Sequence, residues 1–237
     1  MKQRIWELDT ARGICILGML VVHFLYDIAG IFPELGITQN PVFDFFTQWG
    51  GVVFFLISGI CVTLGSRPVR RGLIVLSASL LVSAVTVAMV WLGFADKGII
   101  IYFGVLHCLA VCMLLWPLVR KFPVWALGAL GLAVIVLGQL VDGHRFAWGA
   151  FLFPLGLQPA GFVSSDYFPL LPYWGFFLLG SLLGKLLYKQ KVSLFPKVDP
   201  HIPLIRFCAW VGRWSLPVYL LHQPVFTVIV FLLEVLL

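Results

Sequence analysis

Apolar residues run along this chain in blocks of about twenty, broken by short polar clusters. Twenty residues of helix cross roughly 30 Å of hydrocarbon. The blocks predict spans at 11–31, 43–65, 70–92, 99–119, 123–141, 168–188 and 215–236. Two breaks are long. The stretch from Asp142 to Asp166 is aromatic, Gly- and Pro-rich, and too interrupted to be a span. It is expected to cap an outward-facing cavity as a re-entrant or interfacial loop. The other, "KQKVSLFPKVDPHIPLIRFCAWVGR", is basic and is expected to lie along the membrane surface with Phe207 and Trp210 dipping into it. No repeat, linker or change of composition divides the chain, so residues 1–237 read as one all-α, polytopic transmembrane bundle of about seven spans.

Composition agrees. Of 237 residues, 61% are hydrophobic and 11% charged, and the mean hydropathy is +1.04. A soluble domain could not bury that much apolar surface. The net charge of +6 follows the spans: every Lys and Arg except Lys97 and Arg145 falls on the side of the N-terminus. The positive-inside rule then puts the N-terminus in the cytoplasm and, with seven spans, the C-terminus outside. The basic excess is topology, and no nucleic-acid partner is expected. "MKQRIWELD" mixes acids with bases and no small-residue cleavage site follows, so a cleaved signal is not expected. Five cysteines contain no CxxC pair, which indicates neither a disulfide framework nor a zinc site. Cys108 and Cys112 share a helix face and read as small packing residues, so no metal is expected.

Titratable groups at membrane depth are costly and mark cavities or pathways. His23, His107 and His222 fall in the first, fourth and seventh spans. Each alone could satisfy a neighbouring helix through one hydrogen bond; three at comparable depth favour a shared polar cavity. Asp27 lies four residues after His23, on the same helix face. A carboxylate there can fix the imidazole's tautomer, as a general base requires, or the two can simply hide each other. Arg12 sits about 16 Å before His23 along the axis, at the cytoplasmic interface, where it can also snorkel to headgroups. Gln48 and Trp49 open the second span near the outer face. In the seventh, Tyr219 and Gln223 flank His222, behind a Pro217 expected to loosen the backbone ladder. Together they suggest a polar lining from the inner face to the outer.

"RIWELDTARGICILGMLVVHFLYDI", "FFLISGICVTLGSR", "YFGVLHCLAV" and "GRWSLPVYLLHQPV" resemble, in this order, the bacterial and archaeal members of the heparan-alpha-glucosaminide N-acetyltransferase catalytic-domain family, within the wider transmembrane acyltransferase group. The resemblance implies a multi-pass protein of the cell membrane that takes acetyl-CoA from the cytoplasm and acylates an acceptor on the far side. The acceptor would be a glycan or another hydroxyl or amine. It also implies that Arg12, Arg67, Arg70 and Arg71 hold the donor's nucleotide end while the pantetheine arm threads the bundle toward His23. The spacing from Arg12 to His23 is similar to the arginine–histidine pairing of acyltransferase-3 proteins. The lysosomal enzymes of the family place a catalytic histidine in the loop after the first span, where this chain has "FPELG".

The expected chemistry is acyl transfer. His23, oriented by Asp27, acts as base or first acyl carrier, and His107 and His222 donate hydrogen bonds to the developing oxyanion. Gln48, Trp49, Tyr219 and Gln223 are the candidate acceptor contacts. The rival class is a small-solute or proton-coupled transporter, which uses intramembrane His and Asp equally readily, though no inverted repeat of broken helices supports it. A scaffold with purely structural polar groups is the third reading. A homodimer is left open.

Overall fold

A computed structural model describes residues 5–146 and 149–236. Among them the chain forms α1 (Trp6–Ile31), α2 (Pro41–Leu64), α3 (Pro68–Trp91), α4 (Val105–Val119), α5 (Val124–Val141), α6 (Gly149–Leu152), α7 (Leu170–Leu187), α8 (Pro203–Arg213) and α9 (Ser215–Leu236). Six of these are long and apolar enough to cross a membrane: α1, α2, α3, α5, α7 and α9. The seventh expected span is α4, apolar but only 15 residues long, about 22 Å of helix. The chain divides into two compact units, one of the residues up to Phe54 with those from Gln190 onward, the other Phe55–Lys189. One boundary falls inside α2, where the apolar pattern has no break.

The first unit is built on α1, against which α8 and α9 pack. In lipid, helices gain little by burying apolar surface from one another, so association rests on close packing of small residues. The α1–α8 crossing shows this. A Cβ on Gly13 would stand 1.8 Å from the Cys208 carbonyl oxygen, and one on Gly212 would stand 1.9 Å from that of Asp9. The backbones touch at two glycines, one from each helix. α8 turns Cys208, Ala209, Val211 and Gly212 to this contact and leaves Arg206, Phe207, Trp210 and Arg213 exposed, the division an interfacial helix needs.

In the second unit α5 packs on α7 and α3 on α4, while α2 and α7 approach backbone to backbone. A Cβ on Gly59 would meet the Phe177 carbonyl oxygen at 2.0 Å, and one on Gly180 that of Leu56 at 2.0 Å. The sequence pattern starts the fourth span at 99, but α4 begins at Val105. Residues 99–103 instead form irregular backbone stitched to the loop before α7. Ser165 and Ser164 donate to the carbonyls of Ile99 and Ile100 at 2.8 and 3.0 Å, and the Phe168 N–H donates to that of Phe103 at 3.0 Å. Ile100 and Phe103 are buried, so this non-helical backbone is shielded by protein, the condition under which it is tolerated at depth.

Later parts of the chain hold α4 at both ends. The Val105 N–H donates to Asp166 Oδ2 at 3.0 Å. Lys185 Nζ donates to the carbonyls of Arg120 and Phe122, each at 2.8 Å. A carboxylate at the N-terminus and an ammonium at the C-terminus both complement the helix dipole. The described part of the Asp142–Asp166 stretch, which excludes 147 and 148, packs Phe153, Phe162 and Tyr167 together with Tyr102. Tyr167 donates its hydroxyl to the Phe153 carbonyl at 2.6 Å.

Candidate functional site

Two of the three span histidines meet. The rings of His23 on α1 and His222 on α9 lie 5.0 Å apart between centroids, edge to face at 85°. The 3.6-residue period that turns each toward the other also stacks Phe24 on Phe226 at 5.2 Å. His23 Nδ1 lies 2.9 Å from the Met19 carbonyl, and His222 Nδ1 contacts the Tyr219 carbonyl. A carbonyl oxygen only accepts, so in both rings Nδ1 carries the hydrogen and Nε2 is the basic nitrogen. The Nε2 of His222 is buried and has no hydrogen-bond partner among the described residues. An imidazole fixed in one tautomer, with its lone pair unoccupied, is a ready general base.

The expected orientation of His23 by Asp27 is not what the structure has. Nδ1 of His23 goes to Met19 in the turn below, and both oxygens of Asp27 accept from Gln223 Nε2, at 3.1 and 3.3 Å. Side chains on one helix lean the same way, so the one-turn offset between His23 and Asp27 persists, and each takes the partner nearest it. Pro217, in the first turn of α9, breaks no ladder bond there, because that N–H has no helical acceptor in any case. The interior proline is Pro224, which leaves the Leu220 carbonyl without its usual donor.

His107 belongs to the second unit and is fully engaged. Its Nδ1 accepts the Gly104 N–H at 3.2 Å, so Nε2 carries the hydrogen and donates to Ser83 Oγ at 3.2 Å. Ser83 passes its own hydrogen to the Ile101 carbonyl at 2.6 Å. Gly104 is required there, since a Cβ would sit 2.0 Å from Asp166 Oδ2. Ser83 and Asp166 were not candidates from the sequence. Asp166 ends a loop, and Ser83 lies in the otherwise apolar α3.

Of the remaining candidates, Arg12 pairs with Asp9 at 3.7 Å and donates to the Gly212 carbonyl at 3.5 Å, which puts it at the α1–α8 crossing. Tyr219 stacks near His222 at 5.3 Å. Gln48 and Trp49 lie exposed in the first half of α2, and Arg67, Arg70 and Arg71 lie exposed at the α2–α3 turn. Cys108 and Cys112 are fully buried, and Cys108 Sγ contacts the Pro169 carbonyl at 3.7 Å.

A groove of about 510 Å³ runs beside His222. One face of α9 lines it, with Trp214, Pro217, Val218, Leu221, His222 and Val225 at helical spacing. That periodicity is legible in the sequence once the helix is known to start at Ser215. Everything in the lining but the imidazole and the indoles of Trp210 and Trp214 is purely hydrocarbon.

The family model described as heparan-alpha-glucosaminide N-acetyltransferase, catalytic, matches residues 4–224. No curated protein and no solved structure matches the chain significantly.

Proposed function

The chain belongs to the family of the heparan-alpha-glucosaminide N-acetyltransferase catalytic domain, and from that premise we propose that it transfers an acyl group, acetyl foremost, from cytoplasmic acyl-CoA to a hydroxyl or amine acceptor. The acceptor is a sugar or glycoconjugate on the outer side of the cell membrane. The observation that carries this reading is the buried, unpartnered Nε2 of His222, held in a fixed tautomer against His23.

In the proposed step, His222 Nε2 takes the proton of the acceptor O–H or N–H as the acceptor's lone pair attacks the thioester carbonyl carbon. The C–S bond breaks, and the CoA sulfur leaves as thiolate and recovers the proton from the imidazolium. CoA thiol and acylated acceptor result, and His222 is neutral again. His23 holds the ring from the side and is the second base of the pair. The Asp27–Gln223 bridge ties α1 to α9 beside them. Arg12 meets the donor's phosphates, for which Arg67, Arg70 and Arg71 are further candidates; Gln48, Trp49 and Tyr219 are candidates for the acceptor. His107, with both nitrogens occupied, positions the start of α4 rather than touching substrate.

The test is release of CoA thiol from acetyl-CoA by the full chain in membranes or nanodiscs. Thiol release that His222→Ala lowers by about 10² to 10⁴ supports the reading. Turnover unchanged in both His222→Ala and His23→Ala removes the pair from the mechanism. Solute or proton flux into liposomes without thiol release selects the transporter instead.

A further inference from the structure

The groove along α9 has an order to it. At its α8 end stand three cations: Arg206 and Arg213 are exposed on α8, and Arg12 reaches the Gly212 carbonyl, one residue from Arg213 and two from Trp210 and Trp214. Next come those two indoles, half-exposed and lining the groove. Eight residues beyond Trp214, about 12 Å along the helix, is His222 with its unpartnered nitrogen. One turn further is Phe226, packed against the His222 ring at 5.7 Å and against Phe24 of α1 at 5.2 Å. Leu20 of α1 forms part of the opposite wall.

We infer that this groove holds the pantetheine arm and acyl group of the donor, and that Phe226 limits the length of acyl chain the enzyme accepts. The inference rests on the acyl-transfer reading and says where the donor lies. Charge complementarity fixes the direction: phosphates stay at the arginine end, in reach of water. The arm passes the indoles, whose N–H groups can serve its amide carbonyls. The thioester reaches His222, whose orphan nitrogen finds its partner only when acceptor arrives beside it. What remains past His222 is about one helical turn, about 5 Å, closed by the Phe24–Phe226 pair. That suits acetyl and its near homologues and leaves no room for a long chain.

The experiment compares kcat/KM for acetyl-CoA and octanoyl-CoA, read as thiol release by the full chain in nanodiscs. Wild type is expected to favour acetyl-CoA. Phe226→Ala is expected to raise the octanoyl-to-acetyl ratio about tenfold or more, since each added methylene that a pocket accommodates is worth at least that factor. Phe226→Leu, which keeps an apolar contact to Phe24, raises it by a smaller factor and serves if the alanine variant does not fold. Trp214→Ala raises KM for both donors and leaves the ratio alone. An unchanged ratio in Phe226 variants that still consume acetyl-CoA overturns the inference and spares the functional reading, as does a wild type indifferent to chain length. Absence of thiol release from either donor in wild type defeats both.

Discussion

Gln223 reaches both carboxylate oxygens of Asp27 with one side-chain nitrogen, at 3.1 and 3.3 Å, and so couples α9 to α1 beside the histidine pair. Intramembrane hydrogen bonds between helices are individually modest, because the separated helices also find partners. Gln223→Leu is therefore expected to cost about 1 kcal/mol of stability in a micelle unfolding titration. Gln223→Glu, which sets a carboxylate against a carboxylate, is expected to cost more. Equal stability of all three proteins would show that the bridge does not hold the helices.

The Gly13–Gly212 crossing leaves no space for a methyl group. Gly13→Ala and Gly212→Ala each drive a Cβ to within 2 Å of a backbone oxygen, which neither helix can yield without separating. Overpacking of this kind costs about 1 to 3 kcal/mol. Thermal unfolding in detergent measures it, and Gly18→Ala, whose Cβ would meet nothing within 4 Å, is the control expected to be near neutral.

His107→Ala strips the Gly104 N–H of its acceptor and Ser83 of its donor. A buried group left unsatisfied costs about 1 to 3 kcal/mol. The variant should lose stability while its KM for acetyl-CoA stays close to wild type, the reverse of what His222→Ala should do. A large change in KM at full stability would return His107 to the substrate site.

Burial, countered by Gln158 and Arg145, raises the Tyr167 hydroxyl from 10.0 to about 12. Folded protein therefore keeps this proton at pH values where unfolded chain has lost it. The stabilisation is complete below pH 10 and disappears as the pH rises from 10 to about 12. A stability-against-pH series should fall across that window, with a shallower slope in Tyr167→Phe.

Spans were the legible part. Blocks of twenty apolar residues have no alternative to helix in lipid, and the predicted ends lie within about five residues of α1, α2, α3, α5, α7 and α9. The start of α4 was not legible, because its cap comes from Asp166 and its leading residues are held by Ser164 and Ser165, all about sixty positions later. At the site, helical spacing placed His23 and Asp27 on one face but could not say what each would find across the gap. The pairing of His23 with His222, and of Asp27 with Gln223, depends on the rotation of α9 against α1. The division into two units escaped for a related reason. Both are made of the same apolar helices, and the first draws on both ends of the chain.

The contact between Val105 and Asp166 spans 61 positions of sequence. As the polypeptide leaves the ribosome, the fourth segment reaches the membrane well before the residue that completes its first turn. Until the fifth helix has entered and the aromatic loop has folded back, that segment stays a stub with open amide groups, a substrate for quality-control proteases. Chains stalled or truncated between 119 and 166 should accordingly be degraded, although every apolar block they contain is intact.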